Sequence, residues 1–183
     1  MFGFGQLINI LKKNPKKIVF TEGEDARILE ASSRLLASNF LHPILIGNAE
    51  KIAIAAEECG FNIRGAEIID PEHFDRMDEM VDLLCELRKK KGITPERARE
   101  ILLQANYFGT MLVKMGIADA LLGGATYSTA DTVRPALQLI KQNRRTILCL
   151  HALSWFDQVQ PVKMRFLRWQ TVRSILNQTK MSL

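Results

Sequence analysis

The feature that most constrains the fold of this chain is a regular alternation of short apolar runs with longer amphipathic stretches. Four apolar runs have the length of buried strands and end at turn residues, namely residues 17–21, 43–46, 66–69 and 118–122. Because strands that alternate with helices form parallel βαβ units, we expect an α/β fold with helices on both faces of a layered parallel or mixed sheet.

Helix boundaries are marked by ordinary start and stop signals. Thr94 precedes Pro95, a pairing typical of an N-cap and the first helical position. The stretch 49–58 is followed by Gly60, which predicts a C-terminal glycine cap. Further helices are expected from Asp25, over residues 106–115 and from about 129 to 140. An apolar stripe at helical spacing predicts one more helix; it comprises Met77, Met80, Val81, Leu84 and Leu87.

Composition excludes several classes of protein. No apolar run approaches the roughly 20 residues that cross a bilayer, and the first ten residues lack the basic start of a secretory signal. A cytoplasmic protein without membrane partners is therefore expected. The three cysteines have no metal-ligand spacing. Cys59 and Cys85 lie in helix-like stretches among apolar residues, so both are expected to be inert core thiols.

The character of the chain changes at Lys141. Residues 1–140 carry 17 basic and 19 acidic residues, a net charge of −2, whereas residues 141–183 carry a net charge of +7. All 11 glycines precede Lys141, and both tryptophans, Trp155 and Trp169, follow it. We consider a domain boundary, a basic nucleic-acid-binding arm and a tail translated in the wrong reading frame.

Codon degeneracy favours the wrong frame over a basic arm. A frame shifted by one base permits Ser-Cys-Phe-Ile-Met-Val-Arg-Ser across 150–158 and Met-Ala-Asp-Cys-Ala-Ile-Asn-Pro across 168–176. Both resemble strands of an α/β enzyme. We therefore divide the chain into residues 1–141, the N-terminal part of one domain, and residues 142–183, an aberrant basic tail. The DNA sequence around codons 141–145 tests this division.

The stretch from Ala118 to Pro135 is where the sequence most clearly indicates chemistry. It reads as a strand, a Gly123-Gly124 turn and a hydroxyl-rich loop that enters a helix. Glycines let the backbone approach a ligand, and the first N–H groups of a helix carry partial positive charge, so this geometry suits an anion. Ligands in open α/β sheets bind at the carboxyl ends of strands, where this loop lies.

Structural roles compete with ligand binding at each candidate residue. Ser128 or Thr129 can cap the helix, with Asp131 complementing its dipole. Arg134 can hold a phosphate or carboxylate, or pair with a neighbouring acid. Arg27 can pair with the three carboxylates of the Glu22–Asp25 loop, which otherwise offer a metal site or a base. His42 and His73 have no partner at ligand spacing and are interpreted as structural or surface residues.

Three segments together resemble the phosphate acetyltransferases. These are Ile18–Leu29, Pro43–Gly47 and Ala118–Gln138, the last carrying Gly-Gly-Ala, a Ser-Thr pair and Val-Arg-Pro-Ala-Leu. The resemblance covers residues 15–141 and implies the fold of these enzymes, which is like that of isocitrate and isopropylmalate dehydrogenases. Phosphate butyryltransferases share a looser version of the pattern.

The resemblance implies reversible transfer of an acetyl group between coenzyme A and inorganic phosphate, giving acetyl phosphate. Coenzyme A is then a substrate, no cofactor or metal takes part, and a homodimer is common in the family. Ser128, Thr129 and Arg134 match positions on the phosphate and coenzyme side, with Arg27 a weaker candidate. The catalytic residues, including an aspartate base, are expected in a further part that this chain lacks. We therefore expect the 183-residue chain alone to be inactive and poorly folded. The alternatives are a phosphate butyryltransferase-type acyltransferase and a non-enzymatic α/β module with a nucleic-acid-binding basic tail, the second of which we disfavour.

Overall fold

The computed structural model describes residues 4–140, which contain four β-strands and seven α-helices. Residues 1–127 form one compact unit, and the residues from Ser128 onward form a second, of which 128–140 are described. Two short 3-10 helices flank α4, at Pro71–His73 and Lys89–Lys91. In chain order the elements are α1 (Phe4–Lys13), β1 (Lys16–Phe20), α2 (Ala26–Ser38), β2 (Leu41–Ile46), α3 (Ala49–Glu58), β3 (Glu67–Ile69), α4 (Met77–Leu87), α5 (Pro95–Leu102), α6 (Ala105–Lys114), β4 (Ala120–Leu122) and α7 (Thr129–Leu139).

The four strands form one sheet in the order β3-β2-β1-β4, and every pairing in it is parallel. Val19 of β1 is opposite Ile44 of β2 on one side and Leu121 of β4 on the other. The α/β prediction is confirmed. Of the parallel and mixed sheets that the sequence allowed, the described strands form the parallel one.

Helices cover both faces of the sheet because successive strand residues point to opposite sides. Phe20 and Leu45 pack on one face against α2 and α3, in a buried cluster that includes Leu29 and Ile52. On the other face α6 comes so close that a Cβ added at Gly109 would lie 2.8 Å from Leu121 Cδ1 and 3.0 Å from Ile46 Cδ1. A residue without a side chain is therefore needed where this helix crosses the strands.

The helix boundaries follow the signals in the sequence. Thr94 caps α5, its hydroxyl accepting the N–H of Arg97. Gly60 has a left-handed φ of 71° after α3. Its N–H donates to the Glu57 carbonyl and that of Phe61 to the Ala56 carbonyl, the two bonds of a Schellman motif. In α4 the predicted stripe is buried at Met77, Met80, Val81 and Leu84.

The structure differs from the sequence prediction at one helix and at several strand ends, including β2, which starts at Leu41 rather than Pro43. Helix α1 was not anticipated, although it ends with Lys12 and Lys13, whose charge favours a helix C-terminus. Strand β4 starts at Ala120 rather than Ala118. The Asp119 carboxylate accepts the Lys17 N–H and the Lys16 ammonium, so this residue joins β1 through its side chain as well as its backbone.

The prediction for the cysteines is wrong for Cys59, which is exposed. Cys59 is the C-cap residue of α3, directly before Gly60, so it lies at the end of the helix. Cys85 is half-buried at the edge of the α4 stripe. Helical spacing among apolar residues therefore did not suffice to place a thiol in the core.

Among residues 4–140, no helix is long and apolar enough to cross a membrane. The predicted tail, 142–183, lies outside the described residues, together with Cys149, Trp155 and Trp169. The boundary at Lys141 and the reading-frame interpretation accordingly stay predictions.

Candidate functional site

The strand order places a topological switch point between β1 and β4. From β1 the chain moves outward to β2 and β3, then crosses back and adds β4 on the opposite side of β1. The loops that follow β1 and β4 therefore diverge at the carboxyl end of the sheet, which is where open α/β sheets bind their ligands. The loop after β1 contains Glu22 and leads into α2, whose second residue is Arg27, and the loop after β4 is residues 123–127.

Glu22 joins these two loops. Its side chain is buried, with 8% of the residue exposed. One carboxylate oxygen accepts the N–H of Thr126 at 2.6 Å, the Thr126 hydroxyl at 3.0 Å and the N–H of Tyr127 at 3.1 Å. The other accepts the Gly124 N–H at 3.0 Å. The turn amides that the sequence offered to an anionic ligand thus hold a carboxylate of the same chain.

The electrostatics of Glu22 favour its charged form. Burial raises the pKa of the Glu22 carboxyl, but hydrogen bonds from the Thr126 and Tyr127 amides and the Thr126 hydroxyl lower it by more. Its pKa therefore lies below the ordinary value. At neutral pH the ionised Glu22 carboxylate joins the two loops, and the dipoles of the backbone N–H groups stabilise its negative charge.

Arg27 contacts the same turn through a backbone carbonyl, whereas Glu22 contacts its N–H groups. Its guanidinium donates to the Ala125 carbonyl at 2.7 Å and forms a two-pronged pair with Asp25, at 2.9 Å and 2.7 Å. Asp25 is also the N-cap of α2, and its hydrogen bonds with Arg27 hold the Asp25 pKa below its ordinary value. The prediction that Arg27 pairs with the acidic loop is confirmed, at Asp25.

A cavity of about 640 Å³ opens beside the joined loops. Its walls are the segments after β1, β2 and β3, the end of α5 at Leu103, the start of α6 at Ala105, and the side of the turn at Thr126 and Tyr127. Its charged residues are acidic except for Lys51; the acidic ones are Glu22, Glu24, Asp25, Asp70 and Glu72. These walls suit hydrogen-bond donors and apolar groups of a ligand better than a phosphate.

Ser128 caps α7. Its hydroxyl accepts the Asp131 N–H at 3.2 Å and lies 2.6 Å from an Asp131 carboxylate oxygen, to which it donates. The capping role that the sequence allowed is therefore confirmed for Ser128. Thr129 is exposed at the first position of the helix.

Arg134 is the least committed of the predicted binding residues. Its nearest acid is Asp131, with 3.9 Å between Nη1 and Oδ1, and about half of each side chain is exposed. An exposed pair at this distance contributes little to stability, so the guanidinium is available to another anion.

One further cluster comprises Asp70, Glu72 and His73, whose ligand atoms lie within 4.8 Å of one another. The sequence analysis gave His73 no partner, whereas the structure places its ring 3.3 Å from Asp70. Asp70 already has a structural role, because its carboxylate accepts the Glu72 N–H and so caps the short 3-10 helix. The side chain of His73 remains largely exposed, as predicted for a surface residue.

Sequence reasoning missed Glu22 as the residue that joins the loops. It treated the acidic loop and the glycine turn as separate candidates, because they lie about a hundred residues apart. The parallel pairing of β1 with β4 brings them together. A strand-end carboxylate opposite a glycine turn on the neighbouring strand is the signal that would have found the contact.

The strand order and the joined loops define an open, parallel α/β protein with its ligand region at the switch point. Comparison with known sequences narrows this class. The sequence model of the family described as "Phosphate acetyl/butaryl transferase" matches residues 4–155. The phosphate acetyltransferase of Bacillus subtilis strain 168 is 53% identical over 125 residues, which are 68% of this chain and 38% of that protein. That of Staphylococcus aureus strain Mu50 is 46% identical over 140 residues, covering 74% and 42%.

Solved structures agree with the sequence matches. The chain superimposes on a phosphotransacetylase from Streptococcus pyogenes with a TM-score of 0.67 and 41% identity, covering 75% of this chain and 43% of that one. For the EutD phosphotransacetylase from Staphylococcus aureus the TM-score is 0.69 and the identity 42%, over 78% and 44%. This chain belongs to the phosphate acetyl/butaryl transferase family. It spans less than half of the length of these relatives.

Proposed function

We propose that this chain supplies the N-terminal part of a phosphate acetyltransferase, which transfers an acetyl group reversibly between coenzyme A and inorganic phosphate. The observation that carries the proposal is the family match, which includes the switch-point loops. The family description covers acetyl and butyryl transfer, and the relatives described above are phosphate acetyltransferases, which favours acetyl as the transferred group.

The described residues divide the work of substrate binding. Arg134 is the cation that contacts the phosphate or the coenzyme phosphates, because its ion pair with Asp131 is exposed and spans 3.9 Å. Thr129 presents an exposed hydroxyl at the start of the same helix, where the helix dipole favours an anion, and Ser128, whose hydroxyl already bonds Asp131, stands beside it. Arg27 contributes by shaping the turn, since its guanidinium is occupied by Asp25 and the Ala125 carbonyl.

The test supplies the remainder of the enzyme from a relative. Residues 4–140 of this chain replace the matching segment of the Bacillus subtilis phosphate acetyltransferase, and release of the coenzyme A thiol from acetyl-CoA and phosphate is then measured. We expect turnover that requires both acetyl-CoA and phosphate and that is slower with butyryl-CoA. A folded chimera without acetyl transfer would contradict the proposal.

In this chimera, Arg134→Gln is expected to raise the KM for phosphate roughly tenfold, the loss of one charge-assisted hydrogen bond, about 1.4 kcal/mol. Arg97→Gln is the matched control, since Arg97 is also an exposed helical arginine, paired with Glu100 three residues away. An Arg134→Gln chimera with the KM of the Arg97→Gln control would exclude Arg134 from phosphate binding.

A further inference from the structure

We infer that the turn after β4 is an anion-binding site that this chain fills with its own Glu22 carboxylate, so that the turn is closed to the substrate phosphate. The inference rests on the proposed function only where it concerns phosphate; the occupancy itself is a property of residues 4–127. It assigns to Glu22 the role of an internal ligand.

The geometry of the turn is that of an anion site. Three backbone N–H groups and one hydroxyl converge on the two oxygens of a single carboxylate, at distances of 2.6–3.1 Å. Successive backbone N–H groups that point into one concavity bind phosphate and carboxylate groups in many proteins. Here the donors belong to Gly124, Thr126 and Tyr127, which lie in the loop that the sequence indicated as suited to an anion.

Occupation by Glu22 leaves the turn with no free donor of this set. The carboxylate is held at the end of β1 by a strand that pairs directly with β4, and its side chain is buried. A substrate phosphate at this position would meet the buried negative charge of Glu22, and the nearby Arg27 guanidinium is already paired with Asp25, so this placement is unfavourable. The phosphate therefore depends on side-chain cations outside the turn.

An anion-rescue experiment on the chimera described above, which carries residues 4–140 of this chain, tests the inference. Glu22→Ala removes the carboxylate and leaves its four donors facing an empty space that acetate fits. We expect Glu22→Ala to lower the Tm by roughly 10 °C, and acetate to restore several degrees of it by binding the folded state. Acetamide at the same concentration, which has the shape of acetate without its charge, is expected to restore none.

Two variants serve as matched controls. Glu24→Ala removes a neighbouring exposed carboxylate, and Glu22→Gln keeps the volume of the side chain so that acetate has no space to enter. Neither is expected to respond to acetate. If Glu22→Ala is unfolded, circular dichroism measures whether acetate, but not acetamide, refolds it.

An equal response of Glu22→Ala to acetate and acetamide, or an equal response of Glu24→Ala to acetate, would overturn the inference. The assay contains no acyl transfer. A negative rescue result would therefore not contradict the proposed acetyl transfer, and absence of acetyl transfer by the chimera would not contradict a positive rescue result.

Discussion

Replacing Gly23 by alanine is expected to destabilise the fold by about 2–3 kcal/mol and to lower the Tm by roughly 10 °C. Gly23 directly follows Glu22, and its N–H donates to the Ile46 carbonyl at 3.3 Å. A Cβ at this position would lie 2.7 Å from that carbonyl oxygen and 2.8 Å from Ile52 Cδ1. The oxygen belongs to the backbone at the end of β2, so it cannot move without disturbing the sheet. Thermal unfolding followed by circular dichroism measures the loss.

Gly5→Ala is the control for this substitution. Gly5 lies in α1, and a Cβ there would have no atom within 4 Å. Alanine in a helix is favoured over glycine by about 0.5–1 kcal/mol, so this variant is expected to be as stable as the parent or more so. A Gly23→Ala chain as stable as the Gly5→Ala chain would show that the two strand ends are not packed as described.

Glu22→Gln is expected to lower the free energy of unfolding at neutral pH by about 3 kcal/mol. Both carboxylate oxygens accept N–H groups, from Thr126 and Tyr127 on one side and from Gly124 on the other. Whichever way the glutamine amide is turned, its NH2 group faces one of these donors and a buried hydrogen bond is lost. Glu24→Gln removes the same charge at an exposed position and is expected to lower the free energy of unfolding only slightly.

The cost of Glu22→Gln is expected to depend on pH with a definite sign. The pKa of Glu22 is lowered in the folded chain, so its contribution is fully present above the ordinary value of 4.5 and is lost as pH falls through the folded pKa. Urea unfolding at about pH 7 and about pH 3 measures the difference between parent and variant. The difference in the free energy of unfolding between parent and variant is expected to be large at the higher pH and smaller at the lower pH. A difference that grows with acid would contradict the assignment of Glu22 as an ionised acceptor.

The sequence predicted most of the fold because the decisive signals are local. Strand length, helical spacing and caps such as Thr94 and Gly60 depend on residues close together in the chain. The parallel order β3-β2-β1-β4 depends instead on pairings between distant segments, and no local pattern specifies which strand lies beside β1. Cys59, which helical spacing placed in the core, is the exposed C-cap residue of α3.

The candidate site was predicted in its parts rather than in its assembly. The glycine turn, the Ser128 cap and the Arg27 pairing are all readable from sequence, and the structure contains each of them. Their relation was not readable, because the turn amides could serve a ligand or a side chain equally well. Only the pairing of β1 with β4 identifies Glu22 as their partner.

Amide hydrogen exchange at Gly124, Thr126 and Tyr127 tests most directly the central claim that the Glu22 carboxylate joins the two loops of the site. In the chimera that carries residues 4–140 of this chain, these three amides are expected to exchange as slowly as amides within β1, although they lie in a loop. Glu22→Gln is expected to speed their exchange, and Glu24→Gln to leave it unchanged. Exchange in the parent chain as fast as in the exposed Lys89–Lys91 segment would contradict the account.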